Sequence, residues 1–300
     1  MDKKKVVVAT AAAAAVVVVA VTLLAAGCKK EQAQPTVSRD IHGWPFDAAE
    51  AARRQRGTAE ILGLPVEKAM DLGNGVKLEL VLVPAGEFEM GSPEGEKGRD
   101  SDEGPVHRVR ITKPFYIGKY EMTQDVWEKV MGNNPSNFKG ARNPVEEVSW
   151  DDCQEFLRKL TALGKGTFRL PTEAEWEYAC RAGSRTRFCF GDADDGLADS
   201  AWHNSNSAEQ TYPVGQKRAN AWGLYDMHGH VWEWCFDWYS VDYYRQSAPN
   251  DPVGPPAGST RVLRGGYWSG RASHCRSAFR VHYGPASRYH TCGFRVVCVR

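Results

Sequence analysis

Apolar positions along this chain change their spacing several times, and each change marks an element. Residues 6–27 are almost all apolar or small, with no polar face. Asp47-Ala-Ala-Glu50 has the form of a capping box and opens an alanine- and arginine-rich helix to about Leu62, which Gly63 and Pro65 stop. Few of its residues are large and apolar, which predicts a surface or linker helix. Val76, Leu78, Leu80 and Leu82 then alternate with mostly polar neighbours, the period of a half-buried strand. Residues 93–105 are charged and Gly-rich, a solvated loop, and residues 107–117 alternate again. Thr123 and Ser149 stand as N-caps before helices at 124–131 and 150–163. Pro171-Thr172-Glu-Ala-Glu175 is a second capping box, and its helix carries Trp176, Tyr178 and Cys180. Regular patterning thins between Gly183 and Gly258, and two strands return at 261–263 and 293–299. No fixed period recurs, which argues against a solenoid or propeller.

Composition changes this picture in one respect. The 300 residues include 10 Trp, 11 Tyr, 11 Phe, 29 Gly and 16 Pro, which indicates a loop-rich domain packed by large aromatics. The formal net charge of +1 points to no nucleic acid or acidic polymer as partner.

The N-terminus reads as an address rather than as fold. Lys3, Lys4 and Lys5 precede the apolar run, and small residues lead into Cys28, after which the chain turns polar. That order is a secretory signal. The small residues before Cys28 resemble a bacterial lipobox, with Cys28 the lipidated first residue and residues 1–28 the signal. The run is also long enough to span a bilayer as an uncleaved anchor. Either way, later residues lie outside the cytoplasm and are tied to the membrane. Residues 29–46 read as a tether and 47–75 as the linker-helix segment. Seven further cysteines follow Cys28, and an oxidising compartment would pair most of them, leaving one over. No CxxC pair occurs, so a structural zinc site is not expected.

Four strings occur in order. They are Val83-Pro-Ala-Gly-Glu-Phe88 with Met90-Gly-Ser92, and Phe168-Arg-Leu-Pro-Thr-Glu-Ala-Glu-Trp-Glu-Tyr178. Next come Gly223-Leu-Tyr-Asp-Met-His-Gly-His-Val-Trp-Glu-Trp234, then Arg264-Gly-Gly266 with Gly293-Phe-Arg295. This series resembles the formylglycine-generating enzyme, or sulfatase-modifying factor, family over residues 76–300. The resemblance implies a single α+β domain related to the C-type-lectin fold, with little regular secondary structure.

It also implies chemistry, and here the chain departs. Enzymes of the family oxidise a sulfatase cysteine to formylglycine with oxygen and copper(I), which two cysteines five apart hold; soft thiolates suit that ion. Counted from Arg264-Gly-Gly266, Cys275 matches the second cysteine, but the first falls on Gly270, and the family serine after the glycines is Tyr267. One thiolate cannot make the two-sulfur site. The resemblance instead implies a Cys180–Cys275 disulfide, leaving Cys189 with Cys235 and Cys153 with Cys298 as further pairs.

Asp226, Gly229, Val231 and Glu233 match a family calcium site, and a loop supplying several hard oxygens fits that ion. His228-Gly-His230, with His274, is an alternative transition-metal motif. Asp192-Ala-Asp-Asp-Gly196 lacks the closing Glu of an EF-hand and reads as surface loop. Trp232 matches a residue lining the family's substrate groove and Arg280 an arginine there, a floor suited to an extended peptide or a glycan. The sequence therefore predicts an extracytoplasmic family member with a diverged site, in a binding or assembly role. Formylglycine generation on a sulfatase partner is the alternative.

Overall fold

The computed structural model describes residues 43–299. The N-terminal apolar run, Cys28 and most of the expected tether lie outside the described residues. Among the described residues, no helix is long and apolar enough to cross a membrane. In chain order the elements are α1 (Ala48–Leu62), β1 (Glu67–Asp71), β2 (Lys77–Val83), β3 (Gly86–Met90), β4 (His107–Ile111) and β5 (Phe115–Gly118). Then come α2 (Gln124–Met131), α3 (Trp150–Ala162), β6 (Thr167–Arg169), α4 (Glu173–Arg181), α5 (Leu197–Ser200) and β7 (Trp232–Trp238). β8 (Arg261–Arg264), β9 (Val281–Tyr283), β10 (Cys292–Gly293) and β11 (Val297–Val299) complete the described chain. Short helices and strands joined by long irregular segments make the α+β architecture that the family resemblance implies, with the loop-rich character that the composition predicts.

One sheet has the order β1-β2-β5-β11-β6, a second β10-β7-β8-β9, and β3 pairs with β4 alone. The expected half-buried strand at 76–82 is buried on both faces from Leu80 onward. Leu80 and Leu82 enter a core with Trp127, Phe156 and Phe294, while Val81 and Val83 face another with Phe88, Trp176 and Trp222. The alternating stretch 107–117 is two strands in different sheets, β4 and β5, rather than one. The final stretch divides as well: β10 pairs in parallel with β7, and β11 joins β5 and β6 in the first sheet.

Two expectations need correcting. The helix at 48–62 is no linker: Ala51 is fully buried, and Gln55 Nε2 donates to Leu82 O (3.0 Å) and Trp222 O (3.1 Å). The Asp47 side chain accepts from the Glu50 amide at 2.9 Å, but Glu50 turns to Arg53 and Arg54 instead of closing the box. β1, inside the same expected linker segment, pairs with β2. The second correction is β7, a seven-residue strand where patterning thins. Its alternation of aromatics with Glu233, Cys235 and Asp237 is strand-like, but both acids are buried rather than solvent-facing.

Candidate functional site

The segment from Gly223 to β7 is a run of tight turns. Gly229 has φ 113°, and a Cβ there would lie 2.3 Å from Trp202 O, so only glycine fits. Asp226 (φ 57°) and His230 (φ 72°) hold the same left-handed region with side chains attached, a conformation that costs a non-glycine residue free energy.

Glu233, the first acid of β7, is fully buried and fully used. Arg295 Nε and Nη2 each donate to it at 2.6 Å, and Trp176 Nε1 donates at 2.8 Å. The same guanidinium donates to Gly118 O and Tyr225 O. Glu233 therefore does not join Asp226 as the expected calcium pair, because Arg295 and Trp176 occupy its oxygens. Asp226 instead meets two other residues. Donor atoms of Glu121, Asp226 and His230 lie within 4.8 Å of one another, all buried. Glu121 Oε1 accepts from the Val231 amide (3.1 Å), and Asp226 Oδ2 accepts from the Gly215 amide (2.7 Å). Burial pushes the Asp226 carboxyl up to about 6. Burial, with the Glu233 charge second, carries Glu121 well above the usual carboxylate range. Burial also depresses the His230 imidazole. Gly229 and Val231 belong to the same turn as Asp226.

His228 does not pair with His230. Its Nδ1 donates to Cys275 O (2.8 Å) and its Nε2 accepts from the Cys189 amide (3.1 Å), so both nitrogens are used in a structural cross-tie. Burial lowers its pKa to about 4 and keeps it neutral. The same ring contacts Cys180 Sγ at 3.8 Å while bonding the Cys275 carbonyl, and no disulfide joins the two cysteines. Among the described residues all seven cysteines are free thiols. None of the disulfides expected from the sequence is formed among them. Cys235 Sγ donates to Glu233 O at 3.8 Å, and Cys298 Sγ accepts from Lys68 Nζ at 3.6 Å.

Cys275 is fully buried, packed with Phe188, Leu197 and Ala201. Burial pushes its thiol up to about 12, which withholds the thiolate. Gly270 closes a turn onto Tyr267, and a Cβ there would meet Tyr267 Cδ1 at 2.9 Å and Cε1 at 3.0 Å.

Trp232 floors an aromatic face. Its ring lies 5.5 Å from Tyr267 and 5.7 Å from Phe279, and His274 packs on Phe279 at 5.0 Å. Trp232 itself is 3% exposed, whereas Tyr267, His274 and Phe279 are half-buried and form the accessible part. Arg280 does not reach this face. Its side chain is bound to Glu173 (2.6 and 2.9 Å), inside a buried network where Glu173 and Glu177 also pair with Arg264. The expected Trp232–Arg280 groove is thus an aromatic face backed by an internal ion network. A cavity of about 220 Å³ elsewhere is lined by Trp44, Glu87, Phe88 and Arg108; Glu87 and Phe88 end the first quoted string, but none of the four was given a site role from the sequence.

Sequence reasoning missed Glu121, Glu173 and Glu177, and assigned no role to Arg264 and Arg295. The two arginines stand inside the quoted strings, and so do Glu173 and Glu177. Glu121 carries no pattern of its own.

A family model described as "Sulfatase-modifying factor enzyme 1-like domain" matches residues 73–299. The chain is 34% identical to a formylglycine-generating enzyme of Streptomyces coelicolor, over 72% of this chain and 87% of that protein. It is 32% identical to the "Chaperone protein LppX" of Paenibacillus barcinonensis, over 63% of this chain and 78% of that protein. Among solved structures, Treponema denticola variable protein 1 superposes with a TM-score of 0.72 at 33% identity, covering 78% of this chain and 99% of that one.

Proposed function

This chain belongs to the sulfatase-modifying factor family, and we propose that it acts there as an extracytoplasmic, membrane-tethered polypeptide-binding or assembly protein rather than as a copper oxidase. The observation that carries the reading is Tyr267 packed against Gly270. A cysteine side chain at 270 would have to displace a ring that is itself stacked on His274. The remaining thiol, Cys275, is buried and poorly ionised. The accessible chemistry is then the half-buried aromatic face of Tyr267, His274 and Phe279 over Trp232. Aromatic side chains offer large contact area with few rotors to freeze, which suits capture of an extended polypeptide. A relative that bears the name of a chaperone supports a binding role, and Cys28 supports the tether.

The purified protein is incubated with copper(I), oxygen and a sulfatase-derived cysteine peptide, and the peptide is weighed by mass spectrometry. It should keep its thiol. A reduced and alkylated test polypeptide should bind, and Phe279→Ala should weaken that binding by roughly 1–2 kcal/mol. Aldehyde that forms with the wild type and vanishes with Cys275→Ala would overturn the reading in favour of the oxidase. In cells, fatty-acid labelling should be lost in Cys28→Ser; labelling that persists removes the lipid tether.

A further inference from the structure

The buried charges before β7 do not balance. Glu121, Asp226 and Glu233 place three carboxyl groups in one mutually interacting region, and Arg295, the guanidinium among them, is committed to Glu233. Glu121 and Asp226 are left with His230 alone, and all three are at most 2% exposed. Two buried carboxylates without a cation are costly in free energy.

The unpaired atoms converge. Glu121 Oε2, Asp226 Oδ1 and His230 Nδ1 are each buried without a hydrogen-bond partner. Glu121 Oε2 and His230 Nδ1 stand 2.6 Å apart, yet out of line for a hydrogen bond. The left-handed backbone at Asp226 and His230 shapes the turn that presents both side chains to Glu121.

We propose that Glu121, Asp226 and His230 hold a divalent transition-metal ion of the borderline class that includes zinc, as a structural centre joining the β5–α2 connection to the turn before β7. Two carboxylates neutralise such an ion, and the imidazole nitrogen favours it over calcium, which takes oxygen ligands. The set shares Asp226 with the expected calcium site, but Glu121 and His230 replace Glu233. This departs from the sequence expectation of no structural zinc site, which rested on the missing CxxC pair; a carboxylate and imidazole set needs no thiolate. One adjustment is required. His230 Nε2 lies 3.1 Å from the Tyr212 amide nitrogen, and with Nδ1 on the ion the ring proton sits on Nε2, so the Tyr212 main chain turns its amide away. The inference does not depend on what the aromatic face binds.

The full chain, freed of metal by chelator, is titrated separately with zinc chloride and calcium chloride, with bound metal measured by equilibrium dialysis and elemental analysis. About one zinc per chain should bind and raise the melting temperature, with calcium at least about tenfold weaker. His230→Asn and Glu121→Gln should each weaken zinc by about tenfold or more. Glu121→Gln keeps an oxygen for the Val231 amide and copies the uncharged acid that burial favours, so its metal-free form should melt no lower than metal-free wild type. Loss of zinc in that variant then reports the ligand and not the fold. Absence of zinc binding in the wild type, zinc affinity unchanged from wild type in either variant, or a preference for calcium overturns the proposal.

Discussion

Glu146 is a carboxyl that folding removes from water almost completely. Its Oε1 accepts from the Phe138 amide at 2.7 Å, and its Oε2 is buried without a partner. Burial raises its pKa from 4.5 to about 7, against the lowering effect of the Asn137 and Phe138 amides. The native state therefore holds a proton that the unfolded chain has released between those two values, and stability falls as pH rises through that window. Glu146→Gln copies the protonated form. The stability of this variant relative to wild type should grow from pH 5 to pH 8 by about 1–2 kcal/mol, allowing for solvent screening. Urea titrations at several pH values read it directly, and a difference that stays flat with pH would refute the assignment. Such residues are where the sequence was least legible. Pattern reading places carboxylates in water, so Glu146 and Glu121 are invisible to it, whereas Asp226 was found because it stands in a motif. Arg280 shows the converse: its position in the chain is legible in the sequence, but not that Glu173 draws it inward.

At the scale of elements, capping chemistry transferred best. Thr172 Oγ1 accepts from the Glu175 amide at 3.1 Å and Glu175 Oε2 accepts from the Thr172 amide at 2.9 Å, as the string Thr172-Glu-Ala-Glu175 predicts. These bonds are local, so local sequence contains them. What α4 meets was not legible, because its partners lie far along the chain. Every residue of α4 is buried, including Glu173, Glu177 and Arg181. Arg264, from β8, bridges Glu173 (2.8 Å) and Glu177 (2.6 Å) with no exposure. Losing that cation leaves two buried carboxylates short of a partner, although Arg280 and Arg181 still reach them. Arg264→Met should cost about 3–5 kcal/mol in chemical denaturation. Adding Glu177→Gln to Arg264→Met should recover part of that loss, since one uncompensated charge goes with it. If the double variant is as unstable as the two single effects added, the bridge is not the source of the stability.

For the whole molecule, the question is where the folded unit begins. Few large apolar residues in 48–62 suggest a helix outside the domain, and that inference fails because small side chains let α1 lie close. Ala51 and Ala59 are buried, Arg54 covers the Phe46 ring at 4.2 Å, and Phe46 in turn packs on Trp222. Gln55, 6% exposed, bonds the carbonyls of Leu82 and Trp222 and so ties the helix to β2 and to the segment that leads to β7. A linker helix and a docked one predict different numbers for one substitution. On a linker, Gln55→Ala would be a surface change, within about 0.5 kcal/mol of neutral. In a docked helix it strips two buried carbonyls of a donor and should cost about 1–3 kcal/mol. Thermal or urea unfolding of the residue 43–300 chain with and without the substitution separates the two. A loss in the upper range places the start of the cooperative unit at or before α1, some thirty residues ahead of the strand at which the family resemblance begins. A change near zero would return the helix to the surface and the boundary to β1.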